Sequence, residues 1–226
     1  MPAFKPDDKL SERVSALLSV GFARVIVVDD GSGVGYREVF GILAKSDSCD
    51  VLRHETNKGK GAAIKTALTH VLEKHGDLSG VVTVDADGQH SPEDCRRVAE
   101  SLLENPSSVV LGVRDFNFHN VPFRSWWGNT WTKGVFAILY GRLVPDTQTG
   151  LRGFGRELLA RLITAPGTGY EYEMSVLCRI ARSRIPFSFV PIRTIYENDN
   201  ASSHFHPLRD TIRIYRVIFG NLFSRL

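Results

Sequence analysis

The sequence predicts an α/β fold built on a largely parallel sheet. Two observations carry this: short runs rich in valine or leucine alternate with helix-length patterns, and turn or charged residues close each run. In chain order, a helix is expected over Asp7–Ser19, a strand over Arg24–Val28 and a strand over Val51–His54. A helix over Gly61–Lys74, a strand over Gly80–Val84, a helix over Pro92–Glu104 and a strand over Ser108–Gly112 follow. Ser91 before Pro92 opens its helix, because serine caps the free backbone N–H groups and proline fits the first helical position. A helix over Arg124–Tyr140 completes the regular part. Beyond Asp146 the pattern changes to a short strand, helices over Gly155–Ile163 and Tyr172–Arg184, an extended Pro186–Tyr196 and a terminal helix. One element is out of place. Sheets of this class open on a central strand, yet Met1-Pro2-Ala3-Phe4 runs almost directly into a helix, so the first strand is expected to be truncated or to lie upstream.

A length of 226 residues favours one domain with an ample core. With 42% hydrophobic and 23% charged side chains, disordered, collagen-like and coiled-coil readings are excluded. No stretch approaches the roughly 18 apolar residues of a membrane-spanning helix. Charged residues from Lys5 through Lys9 do not suit a signal peptide, so a cytosolic protein is expected. Cys49, Cys95 and Cys178 are scattered, with no CxxC pair, and are expected to be reduced and inert rather than zinc ligands. The net charge of +3 is confined to the tail, where Arg209, Arg213, Arg216 and Arg225 face Asp210 alone. That distribution argues against a nucleic-acid surface and points to a local contact with something anionic.

Ligands of parallel sheets bind at the carboxyl ends of the strands. Two acidic clusters fall there: Asp29-Asp30-Gly31-Ser32 and Asp85-Ala86-Asp87-Gly88-Gln89-His90. Carboxylates one residue apart suit Mg²⁺ or Mn²⁺ that also touches a substrate phosphate; the alternative is a pair of solvated turn carboxylates. Asn57-Lys58-Gly59-Lys60-Gly61-Ala62-Ala63 joins a strand to a helix. Its glycines and lysines at a helix N-terminus favour an anion such as diphosphate, although a plain strand-to-helix turn reads the same way. The spacing is not that of a Walker A loop.

VVDDGS, NKGKGAA, VDADGQH with SPED, GVR at 112–114, DTQTGLRGF at 146–154 and GYEYEM at 169–174 follow one another in order. This order resembles family-2 glycosyltransferases of the GT-A fold, in particular polyprenyl-phosphate sugar transferases of the dolichyl-phosphate mannose synthase and bactoprenol glucosyltransferase type. The resemblance implies a metal-dependent hexosyltransferase with a nucleotide-sugar donor and a polyprenyl phosphate acceptor. It implies that Asp29 and Asp30 bind the nucleoside, with Pro2, Ala3 and Ala86 beside it and Lys58 and Gly59 near the donor nucleotide. It places Mg²⁺ or Mn²⁺ on Asp85, Asp87 and Gln89, and the acceptor phosphate on Arg114 and Arg124. Asp146, Gly150 and Arg152 fall in the acceptor-side motif, with Glu171 and Glu173 at the next helix start. Ser203 and His204 fall in a loop that closes over the donor. Catalysis is then carried by Asp87, Arg114, Arg124 and Asp146.

The domain is expected to span residues 1–206, its acceptor side beginning near 146, with residues 207–226 as a separate amphipathic helix. There Leu208, Ile212, Tyr215, Phe219, Leu222 and Leu226 recur at helical spacing beside a stripe of Arg209, Arg213 and Arg216. Such a helix reads as an anchor on an anionic membrane surface, or as one docked on the domain or on a second copy. A peripheral position at the inner face of the membrane follows, with a membrane-protein partner or a homo-oligomer as further expectations. Trp126, Trp127, Trp131, Phe123 and Phe136 are read as helix packing first and as bilayer contacts second. His90 is read as a structural or capping residue ahead of a ligand. Two other readings remain open at this stage: a family-2 enzyme acting on a sugar or protein hydroxyl, and a non-catalytic nucleotide-sugar binder.

Overall fold

The computed structural model describes the backbone of residues 1–114, 123–193 and 207–223, and the side chains of 1–114, 132–193 and 211–222. Two groups of strands form the middle layer. The first is β1 (Pro2–Ala3), β2 (Val25–Asp30) and β3 (Cys49–His54), all parallel and in the order β1-β2-β3. The second contains β4 (Gly80–Thr83), β5 (Val109–Arg114), β6 (Arg152–Gly155) and β7 (Phe187–Ile192) in the order β4-β6-β5-β7. β6 runs antiparallel to both β4 and β5, whereas β5 and β7 are parallel.

The first strand, expected to be truncated or to lie upstream, is a two-residue stub. Pro2 and Ala3 pair with Val28 and Asp29, a two-residue ladder too short for alternation to reveal.

Helices cover both faces, and the side-chain alternation of the strands divides the core between them. Val110 faces the side of α1 (Leu10–Ser19), α2 (Arg37–Leu43) and α4 (Pro92–Glu104), with Leu10, Val14, Phe40 and Val98. Val109 and Leu111 face α3 (Lys60–Lys74), α5 (Phe123–Tyr140), α6 (Leu159–Ile163) and α7 (Glu171–Arg182), with Ile64, Phe136, Leu159 and Leu177. The Ser91 hydroxyl accepts the Asp94 N–H at 3.1 Å, which caps α4 as expected. The three cysteines are buried and unbridged. Burial pushes the thiols of Cys95 and Cys178 up to about 12, so both are unreactive.

The terminal helix α8 (Pro207–Phe223) is not an appendage. Ile214 and Ile218 are buried in the same core as α7. Tyr140 Oη donates to the Ile218 carbonyl at 2.6 Å, and Arg182 donates to the Asn221 carbonyl at 2.5 Å. The buried pair Ile214 and Ile218 lies beside the apolar stripe read from the sequence, of which Tyr215 and Leu222 are half-buried. Ile212 and Phe219 stay about half exposed, at 54% and 51%.

Candidate active site

The carboxyl ends of β1, β2, β4 and β5 open on one cleft of about 670 Å³. Pro2, Ala3, Asp30, Lys58, Gly59, Asp85, Ala86, Asp87, Gln89, Arg114 and Arg152 all line it, so the fold gathers most of the residues singled out above. The antiparallel β6 explains the rest of the assembly. Because it runs against β4 and β5, the 146–151 loop before it lands at their carboxyl ends. The Thr83 hydroxyl fixes that loop by donating to the Gly150 carbonyl at 3.0 Å.

The acidic box sits on a turn made by Gly88 at φ +82°, a left-handed conformation that favours glycine. The Gln89 N–H donates to Asp87 Oδ1 at 3.1 Å across this turn. Lys60 of α3 reaches the box from the side, with its ammonium 2.7 Å from Asp85 Oδ1 and 2.9 Å from Glu173 Oε2. Burial works against the charge on Asp85, but the Lys60 ammonium and its neighbours hold its carboxyl below the usual range. Asp87 moves the other way: burial, and then the negative charge of Asp85, push its carboxyl up. Burial likewise pushes His90 down, favouring a neutral imidazole 4.0 Å from Asp85. His90 does not cap α4, a role that Ser91 takes.

These residues fit a divalent cation. The cleft already draws one cation, the Lys60 ammonium, onto Asp85, while Asp87 remains penalised as an anion. Glu173 Oε1 and His90 Nδ1 are also buried without a hydrogen-bond partner among the described residues. A hard cation held by oxygens would relieve the charge on the carboxylates.

Asp29 and Asp30 are both buried and largely invested in the protein. Asp29 accepts the Ser32 N–H at 2.8 Å and Arg53 Nε at 3.1 Å, and it lies outside the cleft lining. Asp30 accepts the N–H groups of Lys58 and Gly59 at 2.9 and 2.8 Å, with His54 Nδ1 at 2.6 Å. Asp30 therefore shapes the loop that begins α3. Gly59, at φ +99°, is its N-cap, and a Cβ there would meet the Thr168 carbonyl. Lys58 lines the cleft at this helix start, whereas Lys60, also expected to face an anion, is drawn to the carboxylates.

On the opposite side Arg114 forks onto Asp146, with Nε 2.8 Å from Oδ2 and Nη2 3.2 Å from Oδ1. Asp146 is fully buried and also accepts the Gln148 N–H, so it orients Arg114 rather than facing a substrate. Arg152, which also lines the cleft, is held largely by backbone carbonyls. It is 2% exposed and donates to the carbonyls of Thr149, Glu173 and Thr147 at 2.8, 2.7 and 3.4 Å, bracing the loop against α7. Glu171 binds backbone instead, accepting the N–H groups of Thr168 and Gly169 at 3.0 Å each.

Arg213, assigned above to a lipid-facing stripe, lines the cleft, as do Arg13 and Tyr170, which were not singled out. Arg13 donates to the Ala86 carbonyl at 2.9 Å. Tyr170 belongs to the GYEYEM motif at 169–174, whereas no local motif announces Arg13 or Arg213, whose helices meet the cleft only through tertiary packing. Ser203 and His204, with the side chains of Phe123, Arg124, Trp126, Trp127 and Trp131, lie outside what the structure describes.

Residues 1–163 match the family described as Glycosyl transferase family 2. The chain belongs to this family. Over 213 residues it is 29% identical to a UDP-N-acetylglucosamine–dolichyl-phosphate N-acetylglucosaminyltransferase of Methanococcus voltae, covering 87% of this chain and 84% of that protein. It is 29% identical over 181 residues to an undecaprenyl-phosphate mannosyltransferase of Micrococcus luteus, covering 74% and 71% of the two chains. Among solved structures, glucosyl-3-phosphoglycerate synthase of Mycobacterium tuberculosis, in complex with Mn²⁺, UDP and glucosyl-3-phosphoglycerate, superposes with a TM-score of 0.74 at 17% identity. That match covers 100% of this chain and 79% of the other, and it establishes the GT-A fold. This family-2 glycosyltransferase therefore carries its acidic box and its Arg114–Asp146 pair on one cleft at the strand ends.

Proposed function

We propose that this glycosyltransferase transfers a sugar, with inversion, from a nucleotide-sugar donor to a polyprenyl phosphate at a membrane surface. The observation that carries the reading is the division of one cleft: Asp85 and Asp87 belong to its lining, and so do the cations Arg114 and Arg213. The relatives named for dolichyl and undecaprenyl phosphate support the same acceptor class.

In this reading Asp85, Asp87 and Gln89 hold Mg²⁺ or Mn²⁺, which supplies positive charge against the diphosphate leaving group. Lys58 and the start of α3 receive the diphosphate. Pro2, Ala3 and Ala86 flank the nucleoside, with Asp30 setting the loop beneath it. Arg114 and Arg124 align the acceptor phosphate, and Ser203 and His204 belong to the loop over the donor. A phosphomonoester carries about −1.5 to −2 charges at neutral pH, so the nucleophile arrives ionised and needs no general base. The remaining work is orientation and charge neutralisation, a task for the arginines and the divalent cation. Asp146, a candidate base for a hydroxyl acceptor, is instead committed to Arg114.

Membrane contact is assigned to the exposed apolar residues Ile212 and Phe219 of α8, with Arg216 on the same exposed face. Among the described residues no helix is long and apolar enough to cross a membrane. A peripheral contact at the inner membrane face is therefore the proposed location.

A partition assay tests the proposal. Undecaprenyl phosphate in detergent, a divalent cation and radiolabelled nucleotide sugars should give label in the organic phase, absent with Asp87→Ala. Arg124→Ala should weaken acceptor use more than donor binding. Label confined to the aqueous phase, with nucleoside diphosphate released, would reassign the acceptor to a soluble hydroxyl or water.

A further inference from the structure

At the end of β3 remote from the cleft, two imidazoles converge on one carboxylate oxygen. His70 Nε2 lies 2.7 Å and His75 Nε2 2.6 Å from Asp50 Oδ2. The other oxygen, Oδ1, is held by Arg24 Nη1 at 2.5 Å. Asp50 is the second residue of β3, His70 lies in the last turns of α3, and His75 is that helix's C-cap. The two rings meet edge to face, with centroids 5.3 Å apart, and the three ligating atoms all lie within 4.8 Å of one another. Side-chain exposures of 21% for Asp50 and His70 and 17% for His75 leave the cluster open to entry from solvent.

We propose that Asp50, His70 and His75 form a second cation site that takes Zn²⁺ and fastens the end of α3 to the start of β3. Two imidazole nitrogens and one carboxylate oxygen suit a borderline divalent ion, and the solvent side supplies the fourth position of a tetrahedron. The cleft box is a different kind of donor set, oxygen-rich and suited to Mg²⁺ or Mn²⁺. Each imidazole ligates through Nε2 with its proton on Nδ1, giving up the hydrogen bond to Asp50. Arg24 stays on Oδ1 and orients the carboxylate from outside the ion's own shell. The His75 carbonyl accepts Arg156 Nη1 at 2.7 Å, which ties the cluster to the turn after β6.

The test is calorimetric titration of the metal-stripped full chain with ZnCl₂ at about pH 7.5, where free imidazoles are neutral. An Asp87→Ala background removes one carboxylate of the cleft box. In that background about one equivalent should bind, with affinity reduced more than tenfold by either His70→Ala or His75→Gln. The glutamine retains an N–H that reaches toward Asp50 but brings no imidazole, so it separates loss of a ligand from loss of the fold. A thermal melt should show the Asp87→Ala chain stabilised by Zn²⁺, with the shift abolished in both histidine variants. Failure of the Asp87→Ala chain to bind Zn²⁺ would overturn the proposal. Binding that survives both histidine substitutions would overturn it equally, because the ion would then be held elsewhere.

Discussion

The Lys60 ammonium lies 2.7 Å from the Asp85 carboxylate, inside the cleft and at the first residue of α3. Its position makes the helix start a counter-charge for the acidic box as well as a cradle for an anion. Lys60→Met would leave Asp85 and Glu173 facing each other with no cation between them. Breaking a well-buried pair costs about 3–5 kcal/mol; these groups are 13–24% exposed, so about 1–3 kcal/mol is the discounted expectation. In a chain of this size that lowers the melting temperature by roughly 3–10 °C. Added Mn²⁺ should recover more stability in the variant than in the parent. Scanning fluorimetry with and without Mn²⁺ checks this, and a variant with unchanged melting that ignores the ion would refute it.

Gly150 offers a cleaner probe of the same carboxylate. A Cβ at this position would collide with Asp85 Oδ2, the far end of a side chain that can rotate away. Gly150→Ala should therefore fold normally, with melting shifted by no more than about 3 °C, because displacing a carboxylate costs less than displacing backbone. Turnover should fall about 10–100-fold, since a misplacement of about 1 Å at a reacting centre has that effect. Parallel melting curves and donor turnover decide it. Full activity would mean that the position of Asp85 tolerates this displacement.

How much of this was legible beforehand differs by element. The long helices and valine-rich strands showed in the alternation of apolar runs, and α4 was placed to the residue because Ser91 and Pro92 mark its start. β1 was expected only as a truncated or upstream strand, since two residues carry no period, and α2 was missed because seven residues with Gly41 give a weak pattern. The box of Asp85 and Asp87 was legible because chemistry and strand end coincide in one short segment. The roles of Lys60 and Arg152 were not. An arginine in a glycine-rich motif reads as an anion binder, and only the fold shows that this one also braces the loop through three carbonyls. Likewise, an amphipathic helix has the same sequence pattern whether its stripe meets lipid or the protein's own core. For α8 the packing divides the helix: Ile214 and Ile218 enter the core, whereas Ile212 and Phe219 stay exposed.

Asp146 positions Arg114 through two hydrogen bonds to a fully buried carboxylate. Asp146→Asn replaces one acceptor oxygen by a donor amide, which breaks the fork and removes the opposing charge. The expected result is a rise in the acceptor KM of roughly tenfold or more, with donor KM changed less. A charged hydrogen bond of this kind is worth about 1.5–3 kcal/mol. Some of that loss should appear as lower stability, because the carboxylate also accepts the Gln148 N–H. Initial-rate kinetics with each substrate varied in turn provide the check. Equal losses for donor and acceptor would show that the pair serves the whole cleft.

The exposed side of α8 is the last element open to test. Ile212 and Phe219 are seven residues apart and about half exposed, whereas the adjacent Arg213 and Ile214 line the cleft. Burying each exposed apolar part in an interface is worth roughly 1–2 kcal/mol at about 25 cal/mol per Å². Ile212→Glu with Phe219→Glu removes that gain and adds two negative charges that anionic lipid repels. Flotation with vesicles containing phosphatidylglycerol should fall at least tenfold, and melting should change little because both side chains face outward. Turnover of a short-chain, water-soluble polyprenyl phosphate should persist, while turnover of the vesicle-borne acceptor falls with binding. Retained flotation would move the membrane contact to another face, for which the exposed Ile138 and Leu143 near the end of α5 are the next residues to change.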